Sequence, residues 1–325
     1  MSSSEPMPIR IGTRASALAR TQTGWVADRL RAQGVAVRIE TISTRGDERA
    51  DIPIARLGGD GLFVRELEQA LLDDRIDAAV HSLKDMPTAE TPGLILASVP
   101  VRATPFDALV GRTSPTLAGL PSGAVVGTSS IRRVVQLRAI RPDIEARPIR
   151  GNVDTRLRRL DDGEYDALIL AAAGLERLGL QSRITELLRP PAFWPAVAQG
   201  ALVIQVRAGD DHTRRAVAAI DDRPTHVAVR AERGFLAELA GGCLAPIGAW
   251  GRVEQDGRFV LGCCVLEENG GLVRRLSAEE TVACADVFAE LSAATAAEVV
   301  GARAAARLLA DGAADMLARM RDATR

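Results

Sequence analysis

The chain has 325 residues, of which 47% are hydrophobic and 26% charged, with a formal net charge of −1. Such a length and balance suit two or three domains with buried cores, and the near-neutral charge excludes a global pull towards nucleic acid or an anionic membrane. No apolar run is long enough to span a bilayer, and Met1 to Arg20 lacks an apolar stretch of signal-peptide length, so the cytoplasm is the expected compartment. None of the four cysteines (Cys243, Cys263, Cys264 and Cys284) forms a C-x-x-C pair, which argues against a zinc ribbon; no metal is expected.

In chain order, Ile9-Arg10-Ile11 reads as a strand and Ala17 to Gln33 as an amphipathic helix stopped by Gly34. Val35 to Ile42 alternates as a strand does, and Thr44 to Gly61 is a long Gly-rich connection of the kind that serves as a mobile functional loop. A helix over Phe63–Asp73 and strands at Ala78–Val80 and Leu94–Val99 follow. Strands at Ala124–Val126 and Ala167–Leu170 then alternate with helices near 130–140 and 153–162, which implies largely parallel sheets covered on both faces. The strand Ala201 to Val206 is expected to return to the first domain's sheet. From about 224 the pattern becomes α+β: a helix capped by Thr225 and running to Leu239, strands at 246–253, 258–266 and 272–279, and a long Ala-rich helix from about 284. The boundaries drawn are 1–102 with 201–221, 103–200, and 222–325.

Four strand-to-helix turns share one chemistry. They are Thr13-Arg14-Ala15-Ser16, His81-Ser82-Leu83-Lys84-Asp85, Gly127-Thr128-Ser129-Ser130-Ile131-Arg132-Arg133, and Arg150-Gly151-Asn152 leading to Arg156. A helix N-terminus offers unpaired N–H groups and a positive dipole end, hydroxyls add short polar reach, and arginine forks around a carboxylate. Any one turn could be ordinary capping beside a solvated arginine. Four of them, at strand ends where open sheets bind ligands, indicate a polycarboxylate ligand in a cleft between α/β domains. Residues 129–160 hold nine arginines against Asp143, Glu145 and Asp154; Arg138, Arg141, Arg158 and Arg159 read as solvated charges. Among 41 basic residues Lys84 is the one lysine, a compact amine where every other cation is a guanidinium.

Asp85 follows Lys84 and either stabilises a developing cation, relays a proton, or merely neutralises its neighbour. Cys243 stands in Gly241-Gly242-Cys243-Leu244-Ala245-Pro246, an exposed Gly-rich loop suited to attachment or nucleophilic use; Cys263 and Cys264 sit in an apolar strand and read as packing residues.

These segments, together with Arg10-Ile11-Gly12, Thr44-Arg45-Gly46-Asp47, Gly61-Leu62-Phe63-Val64-Arg65-Glu66-Leu67-Glu68 and Ala172-Ala173-Gly174-Leu175, resemble the porphobilinogen deaminase (hydroxymethylbilane synthase) family through almost the whole chain. The resemblance implies an α/β fold of two type II periplasmic-binding-protein-like domains and a smaller C-terminal α+β domain. It implies condensation of four porphobilinogen molecules with release of ammonia, and a dipyrromethane cofactor joined by a thioether to Cys243. It makes Asp85 the catalytic residue. It assigns Ser82, Lys84, Thr128, Ser129, Ser130, Arg132, Arg133, Gly151, Asn152 and Arg156 to the cofactor, and Arg14, Ser16, Arg150, Arg156 and Arg177 to the substrate. A monomer is implied.

Two departures stand out against that family: Asp60 where a lysine is usual, and Ala198 where the pattern is Gly-Gln-Gly. The competing reading is a non-catalytic binding protein for a carboxylate ligand, which has no need of Cys243 or of a third domain.

Overall fold

The computed structural model describes residues 7–43, 64–239, 245–288 and 294–323. Cys243, Asp60, the connection expected over 44–61 and the Gly61-Leu62-Phe63 part of its motif lie outside the described residues.

The elements begin β1 (Ile9–Arg14), α1 (Ala17–Ala32), β2 (Val37–Ile42), α2 (Arg65–Leu72), β3 (Ala78–Ser82), a 3-10 turn at Leu83–Asp85, and β4 (Leu94–Ser98). They continue β5 (Asp107–Gly111), β6 (Val125–Gly127), α3 (Ile131–Ile140), β7 (Glu145–Arg147), α4 (Val153–Asp161), β8 (Ala167–Ala171), α5 (Ala172–Arg177) and β9 (Glu186–Leu188). The last group is β10 (Leu202–Arg207), α6 (Asp211–Ala218), α7 (Arg223–Glu238), β11 (Ile247–Val253), β12 (Arg258–Asn269), β13 (Leu272–Ala283), α8 (Cys284–Phe288), α9 (Ala294–Leu308) and α10 (Ala314–Ala323). The chain folds as two compact units, Met1–Arg102 with Ala201–His226 and Ala103–Gly200 with Val227–Arg325.

The first unit is built on a five-stranded sheet of order β2-β1-β3-β10-β4. β1 is parallel to β2 and β3, while β10 runs antiparallel to β3 and β4, so the returning strand does join this sheet. Ile9, Ile11, Val80, Ile204 and Val206 pack against Val26 and Leu30 of α1, the buried stripe that the helical period of 17–32 creates. Gln205 is the polar exception in β10; it is buried yet satisfied by His81 and by Glu68.

The second unit holds a sheet of order β7-β6-β8-β5-β9, with β6 parallel to β7 and β8 and β5 antiparallel to β8 and β9. Both sheets therefore follow one plan: second, first, third, incoming and fourth strand, with the incoming strand reversed. This is the type II arrangement the resemblance implied. No internal repeat in the sequence announces it, because the plan lies in pairing order. The short strands β5, β7 and β9 were not anticipated.

The same unit contains the antiparallel meander β11-β12-β13. Cys263 and Cys264 are buried in β12, and burial pushes both thiols up to about 12, in keeping with packing. Helices α7 and α9 meet at glycines: a Cβ on Gly301 would lie 2.2 Å from the carbonyl oxygen of Ala231. Two sequence expectations need correction. The cap of α7 is Asp222, whose carboxylate accepts from the N–H of Thr225, since the helix starts two residues earlier than expected. The long helix expected from about 284 is also interrupted: Gly312 adopts φ +102° between α9 and α10.

Glu232 fixes α7 within this unit. Its side chain is fully buried, and its two oxygens accept main-chain N–H groups from Ala198 (2.5 Å) and Gly251 (2.8 Å). Ala198 is held there at φ +57°, a left-handed conformation that costs a non-glycine residue about 1 kcal/mol or more. In Glu232→Gln one acceptor becomes an NH₂ facing an N–H; the expected loss, measured by urea unfolding, is about 1–3 kcal/mol.

Candidate cofactor and substrate site

In the first unit the two basic turns sit side by side. Parallel strands β1 and β3 are neighbours, so the turns at their carboxyl ends, 14–16 and 82–85, share one edge of the sheet. Ser16 caps α1, its Oγ accepting from the N–H of Ala19. Ser82 exchanges hydrogen bonds with Gln22 of α1, whose Nε2 lies 3.0 Å from its Oγ. Gln22 is thus a site neighbour that sequence reasoning missed; its only signal was a buried polar residue on the α1 stripe. Lys84 and Asp85 occupy the 3-10 turn, with Lys84 half-buried and Asp85 exposed.

Behind this turn, His81 is buried in β3, its Nε2 3.1 Å from Oε1 of Gln205. Burial, reinforced by the positive charge of Arg14, lowers its pKa to about 4. The ring is therefore neutral near pH 7, and Nε2–H donates to the amide oxygen.

The second unit repeats the device. Strands β6 and β7 are parallel neighbours, which brings the 128–133 turn beside the 149–152 turn. Ser129 staples them: its hydroxyl donates to the carbonyl of Ile149 (2.7 Å) and accepts from the N–H of the same residue (3.0 Å). Thr128 is buried, its N–H bonded to the carbonyl of Arg147 and its Oγ1 accepting from the N–H of Ser130. Ser130 and Asn152 stand at the N-caps of α3 and α4, and neither side chain makes a capping bond. Gly151 adopts φ +97° and a Cβ there would lie 2.9 Å from Thr155, so glycine is required for the turn.

The nine arginines of 129–160 are sorted by the fold. Arg138 pairs with Glu268, Arg147 with Glu145 and Arg159 with Glu164, surface pairs of small energetic weight, and Arg158 is exposed on α4. Arg141, expected to be solvated, is instead 18% accessible; it pairs with Asp143 and donates to the carbonyls of Leu117, Ala118 and Leu120. Arg132, Arg133, Arg150 and Arg156 are the remaining candidates tied to the two turns. Arg156 donates from Nε to the carbonyl of Gly151; partial burial and the nearby charges of Arg133 and Arg150 lower its pKa to about 10, so it stays charged but in an environment hungry for an anion.

Arg132 and Arg133 are less exposed than expected, with side chains 5% and 9% accessible, and both pair with the fully buried carboxylate of Asp107 at the start of β5. Nη1 of Arg132 also donates to the carbonyl of Trp194, and Nη1 of Arg133 to that of Ile169. The two guanidinium groups hold the Asp107 carboxyl far below the usual carboxylate range against the opposing effect of burial. Gln199 completes the set, donating from Nε2 to Asp107 (3.1 Å) and to the carbonyl of Pro105 (2.8 Å). Asp107 and Gln199 were missed because the partners lie 25 to 92 residues apart in sequence.

Arg177, expected at the substrate, ends α5 half-buried, with Nη2 2.6 Å from the carbonyl oxygen of Gly200. Burial lowers its pKa to about 10.

The donor set suits the implied cofactor: hydroxyls, turn N–H groups and guanidinium forks gathered at strand ends, with Asp107 the carboxylate tied to the fork pair of the second unit. Among the described residues no cluster could hold a metal ion, and no helix is long and apolar enough to cross a membrane.

Two α/β sheets of one strand plan, each presenting paired cationic turns at its strand ends, define the class as a type II binding-protein-like α/β fold with an added antiparallel meander. Within that class the comparisons are specific. The pattern "Porphobilinogen deaminase, dipyromethane cofactor binding domain" matches residues 9–215, and "Porphobilinogen deaminase, C-terminal domain" matches 226–310. The chain is 46% identical to porphobilinogen deaminase of Desulforudis audaxviator, covering 96% of this chain and 97% of that protein. It is 44% identical to the enzyme of Brevibacillus brevis over 95% of this chain and 96% of that one. The methionine-binding protein MetQ is a structural neighbour, with TM-score 0.44 and 12% identity over 67% of this chain and 91% of that one. This chain belongs to the porphobilinogen deaminase family. It is accordingly a transferase of tetrapyrrole biosynthesis that uses a dipyrromethane cofactor.

The neutral, buried state of His81 sets a pH dependence. Its folded pKa of about 4 lies below the unfolded value of 6.5, so the unfolded chain takes up the proton first as pH falls. Stability is unaffected by this group above about pH 6.5 and is lost progressively down to about pH 4, by roughly 3 kcal/mol in all. His81→Gln, which keeps a donor for Gln205, is expected to flatten that part of a stability-versus-pH curve measured by urea unfolding.

Proposed function

We propose that the chain is a hydroxymethylbilane synthase, joining four porphobilinogen molecules head to tail and releasing the linear tetrapyrrole. The observation that carries this reading is the pairing of cation-bearing turns at neighbouring strand ends in each unit of a chain whose family is established. Porphobilinogen presents an acetate and a propionate on every ring, so a growing chain multiplies carboxylates, and paired cationic turns meet that demand. Membership in an enzyme family disfavours the non-catalytic binding reading.

The dipyrromethane, held by a thioether to Cys243, supplies the pyrrole terminus that the first substrate joins. Ser82, Lys84, Thr128, Ser129, Ser130, Arg132, Arg133, Gly151, Asn152 and Arg156 hold it, through hydroxyls, the one lysine, turn N–H groups and guanidinium forks. Arg14, Ser16, Arg150, Arg156 and Arg177 take the substrate carboxylates. Arg177 serves in this role by way of the N–H groups not given to Gly200. Each joining breaks one C–N bond, forms one C–C bond and passes the displaced ring proton to ammonia. Asp85, exposed at the end of its turn, accepts the pyrrole N–H and offsets the positive charge that grows as ammonia leaves. Three domains, 1–102 with 201–221, 103–200 and 222–325, acting as a cytoplasmic monomer, complete the reading.

Two measurements test it. The denatured protein should carry a mass increment equal to one dipyrromethane, absent in Cys243→Ser; an unmodified mass in active protein overturns the reading. Asp85→Asn should keep the increment and lose about 100-fold or more in turnover, whereas near-parental turnover would remove Asp85 from the chemistry.

A further inference from the structure

The buried trio of Asp107, Arg132 and Arg133 does more than balance charge. Each oxygen of Asp107 is committed to a different arginine: Oδ2 accepts from Nη1 of Arg132 at 2.7 Å, and Oδ1 accepts from Nε of Arg133 at 2.9 Å. Arg133 is bonded through all three of its nitrogens, to Asp107, to the carbonyl of Ile169 and to Gln199, and so is fully immobilised. Arg132 is engaged only through Nη1, which leaves Nε and Nη2 of the same planar fork without a hydrogen bond among the described residues.

That asymmetry is informative. A buried ion pair that serves stability alone is best closed, with every donor satisfied, because an unsatisfied polar edge near the interior costs free energy. Here the two-point edge of Arg132, the geometry that matches a carboxylate, is left open among the described residues while the other end of the same guanidinium is pinned. Pinning removes the rotamer freedom that a long side chain would otherwise lose on binding, so the fork is organised in advance.

We propose that Asp107, locked by the amide of Gln199, is a positioning residue that aims Arg132 at the carboxylates of the pyrrole chain. The inference rests on the synthase reading above. Asp107 does not itself touch the ligand; it acts through the arginines, so its removal should weaken binding and leave the bond-making step nearly intact.

Asp107→Asn keeps the shape and removes the charge. In the full-length protein, three readouts are needed: thermal unfolding, the fraction of chains carrying the dipyrromethane mass increment, and KM and kcat of the loaded fraction. The variant is expected to show a reduced loaded fraction and a KM raised about tenfold, with kcat within about threefold of the parent. A variant with full loading and KM within about twofold of the parent overturns the proposal, whatever its melting temperature, because a purely structural role moves only the latter. A fall in KM also overturns it, since that is the result if Asp107 serves only as a counter-charge that weakens anion attraction. If Asp107→Asn fails to fold, Gln199→Met decides: a KM raised about threefold supports the lock, and an unchanged KM with full loading refutes it. Failure of the synthase reading itself would be distinct, because the parent protein would then lack the mass increment.

Discussion

Two arginines sharing one buried carboxylate form the constraint around which the second unit is organised. Burying a guanidinium is tolerable only with a partner, and burying two side by side requires a carboxylate that serves both. Asp107 can do so because β5 is the reversed strand of its sheet, paired with β8 on one side and β9 on the other, with its first residue fully enclosed. From that point the bonds spread outward: to Trp194, whose backbone is bracketed by Gln136, to Ile169 in β8, and to Gln199 and Pro105. A pair of charges thus ties α3, β5, β8 and the 194–199 segment into one body.

Among its described residues the first unit has no fully buried ion pair; Arg10 and Arg207 meet Asp77 nearer the surface. His81 and Gln205, two of its buried polar groups, are neutral; they hold each other, and Gln205 passes on to the carboxylate of Glu68. The ionised groups, Arg14, Lys84 and Asp85, stay at the strand ends where water or a ligand can reach them. The two sheets share a strand plan but divide the electrostatic work differently: one arranges charges at its rim, the other pins part of its cationic set from within.

Much of this was legible in the sequence. Periodicity located α1, β2, β3 and β10, and the four turns were found because a strand, small polar residues and a nearby cation are contiguous in the chain. Family resemblance then supplied the chemistry that periodicity could not. What escaped notice was of another kind. Asp107 opens a short apolar run and looks like a loop acid; only the fold brings it to Arg132 and Arg133, 25 and 26 residues on. Gln22 was one polar residue on a helix until it met Ser82, 60 positions away. Arg177 looked free to bind, yet part of its fork is given to the carbonyl of Gly200. The kink between α9 and α10 was hidden because the alanine-rich sequence favours helix throughout, and only Gly312 marked a change of backbone.

The hydroxyl of Ser129 holds both the N–H and the carbonyl of Ile149, so the turn before α3 and the turn before α4 are not separate binding elements. Displacing one must strain the other. Thermodynamically, the energies of substitutions in the two turns should fail to add, and a ligand group seated on either should stiffen the grip of its neighbour. For a site that must hold successive acidic rings, such coupling makes the first ring a preparation for the next.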